Sequence, residues 1–249
     1  MTTNTKTKFV THHKKLLLLT TLLITVLFTS LLIYTFTTTR KNEPSTPPIE
    51  TPPPKVTVHI KSEMELYNAI NNTTEPTIIT FNTDITLIEP LTIHSHKDIT
   101  LTSNNNAGNN KFYKLIGASN ADTIIIESHG TLMLDGIIVT HNKDTLGRGV
   151  TIEPDGTLVM TNGEITGNTN QQSGGGVKNR GNFIMYDGKI SDNIAVFGPN
   201  SEDEWPFSGG GVANSGTFTM YGGEITGNVA MNSIKDYNCY GGGVGNQCH

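Results

Sequence analysis

A block of 17 residues recurs four times in this chain and constrains its fold more than any other feature. Successive blocks are joined by connectors of 9, 8 and 18 residues, and a fifth block begins 15 residues after the fourth. A unit of this size cannot bury its own apolar side chains, so neighbouring units must stack. The copies are IESHGTLMLDGIIVTHN (126–142), IEPDGTLVMTNGEITGN (152–168), VKNRGNFIMYDGKISDN (177–193), VANSGTFTMYGGEITGN (212–228) and an incomplete fifth copy from Val244.

The apolar residues of the block alternate with polar ones, which is typical of strands with one buried face. A glycine at the fifth position indicates a turn, where we expect a positive φ angle. Three short strands in each coil of about 25 residues, stacked at ~4.8 Å, predict an all-β, right-handed parallel β-helix. We expect the seventh positions to form one interior file and the first positions another. These files are Leu132, Leu158, Phe183 and Phe218, and Ile126, Ile152, Val177, Val212 and Val244.

Two further columns follow from the same alignment. The thirteenth position holds Glu164, Lys189 and Glu224, a sequence of alternating charge that favours stacking on an exposed face. Asparagine ends every complete block, and we expect its amides to bond from coil to coil inside a corner. This predicted structural ladder consists of Asn142, Asn168, Asn193 and Asn228.

Residues 56–125 carry a weaker form of the repeat. Ile93, Ile99 and Leu101 match the first, seventh and ninth positions, which predicts two or three irregular coils. Before them, SEMELYNAIN (62–71) predicts a short amphipathic helix with a capping box formed by Ser62 and Glu65. We expect this helix to cover the first coil. At the other end, the regular coils (126–249) stop within a coil, and we expect further sequence or a partner to cover that edge.

The N-terminal part of the chain predicts a membrane anchor. Residues 16–36 form an uncharged run of 21 residues, long enough to span a bilayer core of ~30 Å. Four lysines in residues 1–15 place the N-terminus in the cytoplasm and the rest outside the cell. A cleaved signal peptide and a buried helix are the alternatives, although no small-x-small cleavage site follows. Residues 37–55 are rich in proline and predict an extended spacer.

The segments quoted above carry a resemblance to a known group of proteins. The repeated GGGVxNxGxFxMxGGxIxGN, preceded by SEMELYNAI and ITFNTDITL, resembles the prokaryotic adhesin-like proteins with a pectate-lyase-type right-handed β-helix. The resemblance covers about residues 56–249. It implies a role at the cell surface, in adhesion. Together with the predicted anchor, this gives the expectation of a single-pass protein of the cell membrane whose C-terminal domain is extracellular.

Several other functions are disfavoured by the composition. A net charge of −5 and only three arginines give no basic patch, so nucleic acid is not expected as a partner. Polysaccharide lyases and hydrolases need clustered carboxylates. The outward columns that the alignment gives are Glu127, Glu153, Lys178 and Ala213, and Asp135, Thr161, Tyr186 and Tyr221. Neither is a sustained acidic cluster, so we expect no catalytic residues and no cofactor.

Metal binding is also not expected. The GGxGxDxUx pattern of calcium-binding solenoids is absent, because GGGV is never followed by the aspartate that this pattern needs. The histidines are scattered along the sequence. Cys239 and Cys248 lie close enough to pair, but the spacing does not require it. A polysaccharide-cleaving enzyme stays the alternative function, and a passive stalk is the third.

The two long connectors, 194–211 and 229–243, predict the binding surface. They leave the same corner of successive coils, and insertions on one face of a solenoid often form its binding site. We expect an aromatic and acidic patch that contacts a glycan or a protein. The alternative is that Trp205 and Phe207 pack onto the solenoid flank. The predicted ligand-binding residues are Glu202, Asp203, Glu204, Trp205, Phe207, Tyr237 and Tyr240.

Overall fold

A computed structural model of the chain describes residues 55–104, 111–197, 209–232 and 241–246. The predicted anchor, 16–36, and most of the spacer lie outside these ranges. Within them, no helix is long and apolar enough to cross a membrane. The elements are β1 (Val56–Ile60), α1 (Glu63–Asn72), β2 (Thr77–Phe81), β3 (Ile85–Thr86), β4 (Leu91–Ile93), β5 (Asp98–Ser103), β6 (Tyr113–Ile116), β7 (Ile124–Ile126), β8 (Thr131–Thr140), β9 (Val150–Ile152), β10 (Thr157–Thr166), β11 (Thr169–Asn170), β12 (Val177–Asn179), β13 (Asn182–Met185), β14 (Lys189–Ser191), β15 (Ile194–Phe197), β16 (Val212–Asn214), β17 (Thr217–Met220), β18 (Glu224–Thr226), β19 (Val229–Asn232) and β20 (Val244–Asn246).

The strands form three sheets, and every strand pairing in the described part of the chain is parallel. Sheet one contains 11 strands along the path β1-β2-β5-β8-β10-β13-β17, with β3, β6, β14 and β18 beside it. Sheet two has the order β20-β16-β12-β9-β7-β4, and sheet three the order β11-β15-β19. We call one passage of the chain through these sheets a coil. The predicted all-β fold with parallel strands is confirmed.

The seventh positions of the repeat form the interior file that the sequence predicts. Their side chains are buried except in the last described coil, where Phe218 is half-buried. The rings of Phe183 and Phe218 stack with 4.8 Å between centroids. The paired residues are Ile99 with Leu132, Leu132 with Leu158, Leu158 with Phe183, and Phe183 with Phe218. The pairing of Ile99 shows that the weak upstream repeat stacks in register with the regular one.

The first positions do not form the file that the alignment predicts. Ile126 pairs with Ile152 as expected, but Val177 pairs with Val150 and not with Ile152. The cause is the corner between the strand of sheet two and the fifth-position glycine. The strand β9 ends at Ile152, four residues before Gly156, whereas β12 ends at Asn179, two residues before Gly181. A slip of two residues keeps each side chain on the same face of the strand. As a result, Asn179 stacks on Ile152.

The fifth-position glycines are needed for close packing and not for a positive φ angle. The positive φ angles of 62° and 63° belong to the residues before them, His129 and Asp155. A Cβ atom on Gly130 would lie 2.8 Å from the carbonyl oxygen of Ile93 in the preceding coil. That contact is too short for any side chain. The expected role of these glycines in a left-handed turn is therefore wrong.

The helix α1 begins after Ser62, as the sequence predicts. The Ser62 hydroxyl accepts a hydrogen bond from the Glu65 backbone N–H at 3.3 Å. The Glu65 carboxylate accepts from the N–H of Lys61, one residue before the cap, at 2.7 Å. Leu66 and Ile70 are buried in the core cluster that the strands of the coils share. The helix thus adds its apolar side to the stacked strands.

Candidate functional site

The connectors that follow the seventeenth and last position of each block share one face of the molecule. Sheet three marks this face, because β11, β15 and β19 are the first strands of three successive connectors. We call it the connector face. It comprises sheet three, residues 117–123, 142–149 and 169–176, and the described ends of the two long connectors.

The two long connectors enter and leave this face side by side. At their start, Ile194 pairs with Val229, and Phe197 pairs with Asn232. At their end, the Gly211 N–H donates to the Gly242 carbonyl at 3.0 Å. The ends of both connectors therefore lie in register on adjacent coils. The predicted ligand-binding residues Glu202, Asp203, Glu204, Trp205, Phe207, Tyr237 and Tyr240 lie outside the described residues, as do Cys239 and Cys248.

A row of asparagine amides runs behind the connector face. Asn168 Nδ2 donates to Asn193 Oδ1 at 2.9 Å, and Asn193 Nδ2 donates to Asn228 Oδ1 at 2.9 Å. The same carbonyl of Asn193 also accepts the backbone N–H of Asn168 at 3.1 Å. Asn168 and Asn193 are fully buried. These amides close the corner at which each connector begins.

Asn142 is exposed and does not belong to this row, which corrects the sequence prediction. His141 takes its place, with Nδ1 at 2.8 Å from Asn168 Oδ1 and Nε2 at 3.0 Å from the Ala121 carbonyl oxygen. The later coils have a left-handed residue before the asparagine, for example Gly167 with a φ of 68°. The first regular coil lacks it, so its corner is one residue shorter and residue 141 reaches the row.

The sequence analysis missed a second row of amides in sheet two. Asn179 Nδ2 donates to Asn214 Oδ1 at 2.6 Å, and Asn214 Nδ2 donates to Asn246 Oδ1 at 3.1 Å. In the earlier coils, Ile126 and Ile152 fill the same interior positions. The recurring GGGVxN pattern was the available signal, since its asparagine lies two residues after each first-position valine.

A buried arginine organises the connectors of the first two regular coils. Arg148 is 5% exposed, and its Nη1 lies 3.0 Å from Asp122 Oδ2 and 3.0 Å from the Thr151 hydroxyl. Its Nε and Nη2 donate to the backbone carbonyls of Ser173 and Gly174 at 3.0 to 3.2 Å. The guanidinium thus ties together three adjacent connectors.

Next to this ion pair, a pocket opens on the connector face. Its volume is about 180 Å³. The lining contains one carboxylate and four side-chain amides, and its surface is mostly polar. Its residues are Asn120, Ala121, Asp122, Leu146, Gly147, Asn170, Gln171 and Gln172. Because β11 pairs with β15, the pocket lies one coil away from the start of the first long connector.

One amide in the lining of this pocket has no partner. The Nδ2 atom of Asn170 is buried and makes no hydrogen bond. A buried polar group without a partner destabilises a fold by ~1–3 kcal/mol, so such groups are rare and call for an explanation. Among the described residues, Thr100 Oγ1 is the only other buried side-chain nitrogen or oxygen without a partner. The Asn170 amide nitrogen is therefore enclosed and unpaired in a residue that lines the pocket.

In the outward columns that the sequence predicts, side chains contact basic or aromatic groups of adjacent coils. Glu153 lies 3.3 Å from Arg180, and Lys189 lies 3.7 Å from Glu224, as the predicted charge column requires. Tyr186 and Tyr221 stack with 5.1 Å between centroids. The expected column from Glu127 to Ala213 is wrong beyond Glu153, because the slip of two residues pairs Lys178 with Thr151.

Histidines and carboxylates also meet on the first coils. The His94 ring lies 3.2 Å from Glu127, and the rings of His96 and His129 stack at 5.6 Å. Within the described ranges, no group of three or more His, Cys, Asp or Glu side chains could hold a metal ion.

Comparison of the chain with protein-family models, with curated proteins and with solved structures finds no match. The site is therefore interpreted from its own geometry.

Proposed function

We propose that this protein is a membrane-anchored, extracellular binding protein that acts in adhesion and has no catalytic activity. In this proposal the coils form a right-handed parallel β-helix, and the connector face contacts a glycan or a protein. The apolar segment 16–36 anchors the chain in the cell membrane. The proline-rich spacer, 37–55, holds the coils away from the bilayer.

The observation that carries the proposal is the position of the long connectors. Both start and end on adjacent coils of one face, while the coils themselves keep their strand pairing. Added chain length at one edge of a rigid solenoid is typical of binding surfaces. These connectors also contain the aromatic residues Trp205, Phe207, Tyr237 and Tyr240, which suit the apolar faces of sugar rings or a protein surface.

The ion pairs favour binding over catalysis. Asp122, Glu153 and Glu224 each lie against a basic side chain of an adjacent coil. A pair of carboxylates for glycoside hydrolysis has to lie on either side of the scissile bond with one group free to take or give a proton. The paired carboxylates are poorly suited to that role.

Binding can be tested with the full-length chain on a glycan array and on intact cells. We expect glycans or cells to be bound and polyuronates to be left uncleaved. The variants Trp205→Ala and Tyr237→Ala should lower binding at least about tenfold, because each removes an aromatic side chain from a long connector. Tyr186→Ala is the matched control, since Tyr186 is an exposed tyrosine between β13 and β14.

Three outcomes would contradict the proposal. Cleavage of a polysaccharide would favour the enzyme. A complete absence of binding would favour a passive stalk. An equal loss in Tyr186→Ala and Trp205→Ala would place the binding surface elsewhere.

A further inference from the structure

We propose that Asn72 is a site of N-linked glycosylation, at which a membrane-bound oligosaccharyltransferase attaches an oligosaccharide to the side-chain amide. The site lies at the end of α1, away from the connector face. The inference rests on the extracellular placement of the coils in the proposed function, because lipid-linked oligosaccharides are transferred to proteins on the extracytoplasmic side of a membrane.

The sequence signal is specific to one place in the chain. The acceptor motif is an asparagine followed two residues later by serine or threonine, with any residue except proline between them. Among the asparagines of the chain, only Asn71 and Asn72 meet this requirement, in the overlapping motifs Asn71-Asn72-Thr73 and Asn72-Thr73-Thr74. The asparagines of the two amide rows lack a hydroxyl at that position, so the motif is absent where an attached sugar would separate the coils.

The structure leaves this segment open to an enzyme. Asn71 and Asn72 are exposed in the last turn of α1, and the chain then continues as a loop up to β2. Thr73, the C-cap of the helix, is already extended, with φ −77° and ψ 142°. A transferase that reads an asparagine together with a hydroxyl two residues later needs both groups on one accessible segment. A surface loop directly after a helix provides such a segment.

The surroundings of the two hydroxyls favour Asn72 over Asn71. The hydroxyl that Asn71 requires belongs to Thr73, which is only partly exposed. This hydroxyl donates to the Glu75 carbonyl at 2.8 Å, so recognition would break a bond of the folded loop. The hydroxyl that Asn72 requires belongs to Thr74, which is exposed. The folded chain therefore presents the second motif more readily than the first.

The reaction is a glycosyl transfer without a change in oxidation state. The amide nitrogen of Asn72 forms a bond to the anomeric carbon of the first sugar, while the bond from that carbon to the phosphate oxygen of the lipid carrier breaks. The phosphate leaves with the bonding electron pair, and the nitrogen gives up one proton to a base of the enzyme. The lipid holds the donor at the bilayer, and Asn72 follows the predicted anchor, 16–36, by only 36 residues.

The test has two parts. Mass spectrometry of the full-length chain from its native membranes should find a peptide in which Asn72 carries an oligosaccharide. The folded chain, produced in a strain without the transferase, should accept an oligosaccharide at Asn72 in detergent from a purified oligosaccharyltransferase and its lipid-linked donor. A synthetic peptide of residues 66–79 is the control for the enzyme, because it contains both motifs without the fold.

Two threonine variants separate the overlapping motifs. Thr74→Ala removes the hydroxyl that Asn72 requires and should abolish modification at Asn72. Thr73→Ala leaves this motif intact and should keep the modification, although it removes the bond to the Glu75 carbonyl. Because Thr74 is exposed, Thr74→Ala should unfold at the same denaturant concentration as the wild type. A loss of modification in this variant then comes from the motif and not from unfolding.

Each outcome supports or overturns the inference. Modification of Asn72 in the native chain, lost in Thr74→Ala and kept in Thr73→Ala, supports it. A native chain that is bare at Asn72, or modified at Asn71 instead, overturns it, as does a folded chain that stays bare while the peptide is modified. If a bare native chain still binds glycans or cells, the proposed function stands without this site. If it binds neither, the proposed function fails as well.

Discussion

Asparagine has opposite roles in the row of amides behind the connector face and in the pocket in front of it. In the row, the Asn193 carbonyl oxygen and Nδ2 group are both bonded, and the residue is fully buried. In the pocket, the Nδ2 group of Asn170 is buried without a partner. The difference teaches that a satisfied amide holds adjacent coils together, whereas the unsatisfied Nδ2 group beside the pocket contributes no hydrogen bond to the stack.

The largest effect is expected from removing an amide in the middle of the row. Asn193→Ala deprives the Asn168 backbone N–H and the Ile165 carbonyl of their partners. Each buried group left in this way destabilises the fold by ~1–3 kcal/mol, so the free energy of unfolding should fall by about 2–4 kcal/mol. Denaturant titration measures the change. A loss below about 0.5 kcal/mol, within the range of ordinary surface substitutions, would contradict the structural role of the row.

A somewhat smaller loss is expected where two backbones approach each other. A Cβ atom on Gly181 would collide with the Gly156 carbonyl of the preceding coil. We expect Gly181→Ala to lower the free energy of unfolding by about 1–3 kcal/mol, the usual range for overpacking. Gly243→Ala is the control, because its Cβ would meet Ile225 at an ordinary 3.5 Å. Equal effects in the two variants would show that backbone contact is not the reason for the repeated glycine.

The exposed charge column should contribute little. Lys189 and Glu224 lie 3.7 Å apart, and their side chains are 40% and 60% exposed. Pairs of this kind contribute ~0–1 kcal/mol, so Lys189→Met should change the free energy of unfolding by at most about 0.5 kcal/mol. The change should shrink further at high salt, since salt screens exposed charges. A salt-independent loss would indicate that the packing of the lysine stem matters more than its charge.

The smallest loss of stability is expected in the pocket. Asn170→Ala removes a buried Nδ2 group that has no partner and is itself unfavourable, so the free energy of unfolding should not fall by more than about 0.5 kcal/mol. Measured beside Asn193→Ala, this variant tests the comparison directly. Similar losses in both would abolish the distinction between the row and the pocket.

The sequence predicts the parts of the fold that repeat with a fixed period. Leu132, Leu158, Phe183 and Phe218 could be aligned because each lies two residues after a glycine and alternates with polar neighbours. The slip of two residues at Val177 is hidden from such an alignment. Alternation has a period of two, so a shift of two leaves the pattern of buried and exposed residues unchanged.

Corner geometry was harder to predict than strand pairing. The first block ends in Thr-His-Asn where the second and fourth end in Thr-Gly-Asn. The third block ends in Ser-Asp-Asn and still places Asn193 in the row, so the missing glycine alone does not predict that His141 replaces Asn142. The reason for the fifth-position glycines was predicted wrongly. Glycine occurs both where a positive φ angle is needed and where a neighbouring backbone leaves no room for a Cβ atom, and the sequence does not distinguish the two. Only the distance from Gly130 to the Ile93 carbonyl separates the two.

The pocket could not be predicted from the sequence at all. Its lining comes from three connectors, whose lengths and residues do not repeat. Asp122, Asn170 and Gln171 are ordinary polar residues of turns until the stacking of the coils brings them together. The long connectors could be assigned to a common face because their starting points repeat, and their ends do pair as expected.

The bonding within the row of amides gives it a direction. Asn168 and Asn193 each donate one N–H of the side-chain amide to the carbonyl oxygen of the next member toward the C-terminal end. A single amide cannot rotate by half a turn without setting two NH₂ groups or two carbonyls against each other. The backbone N–H groups of Asn168 and Asn193 also donate to the carbonyl oxygen of the next member, which holds the same orientation, and the dipoles of the row add like those of a helix.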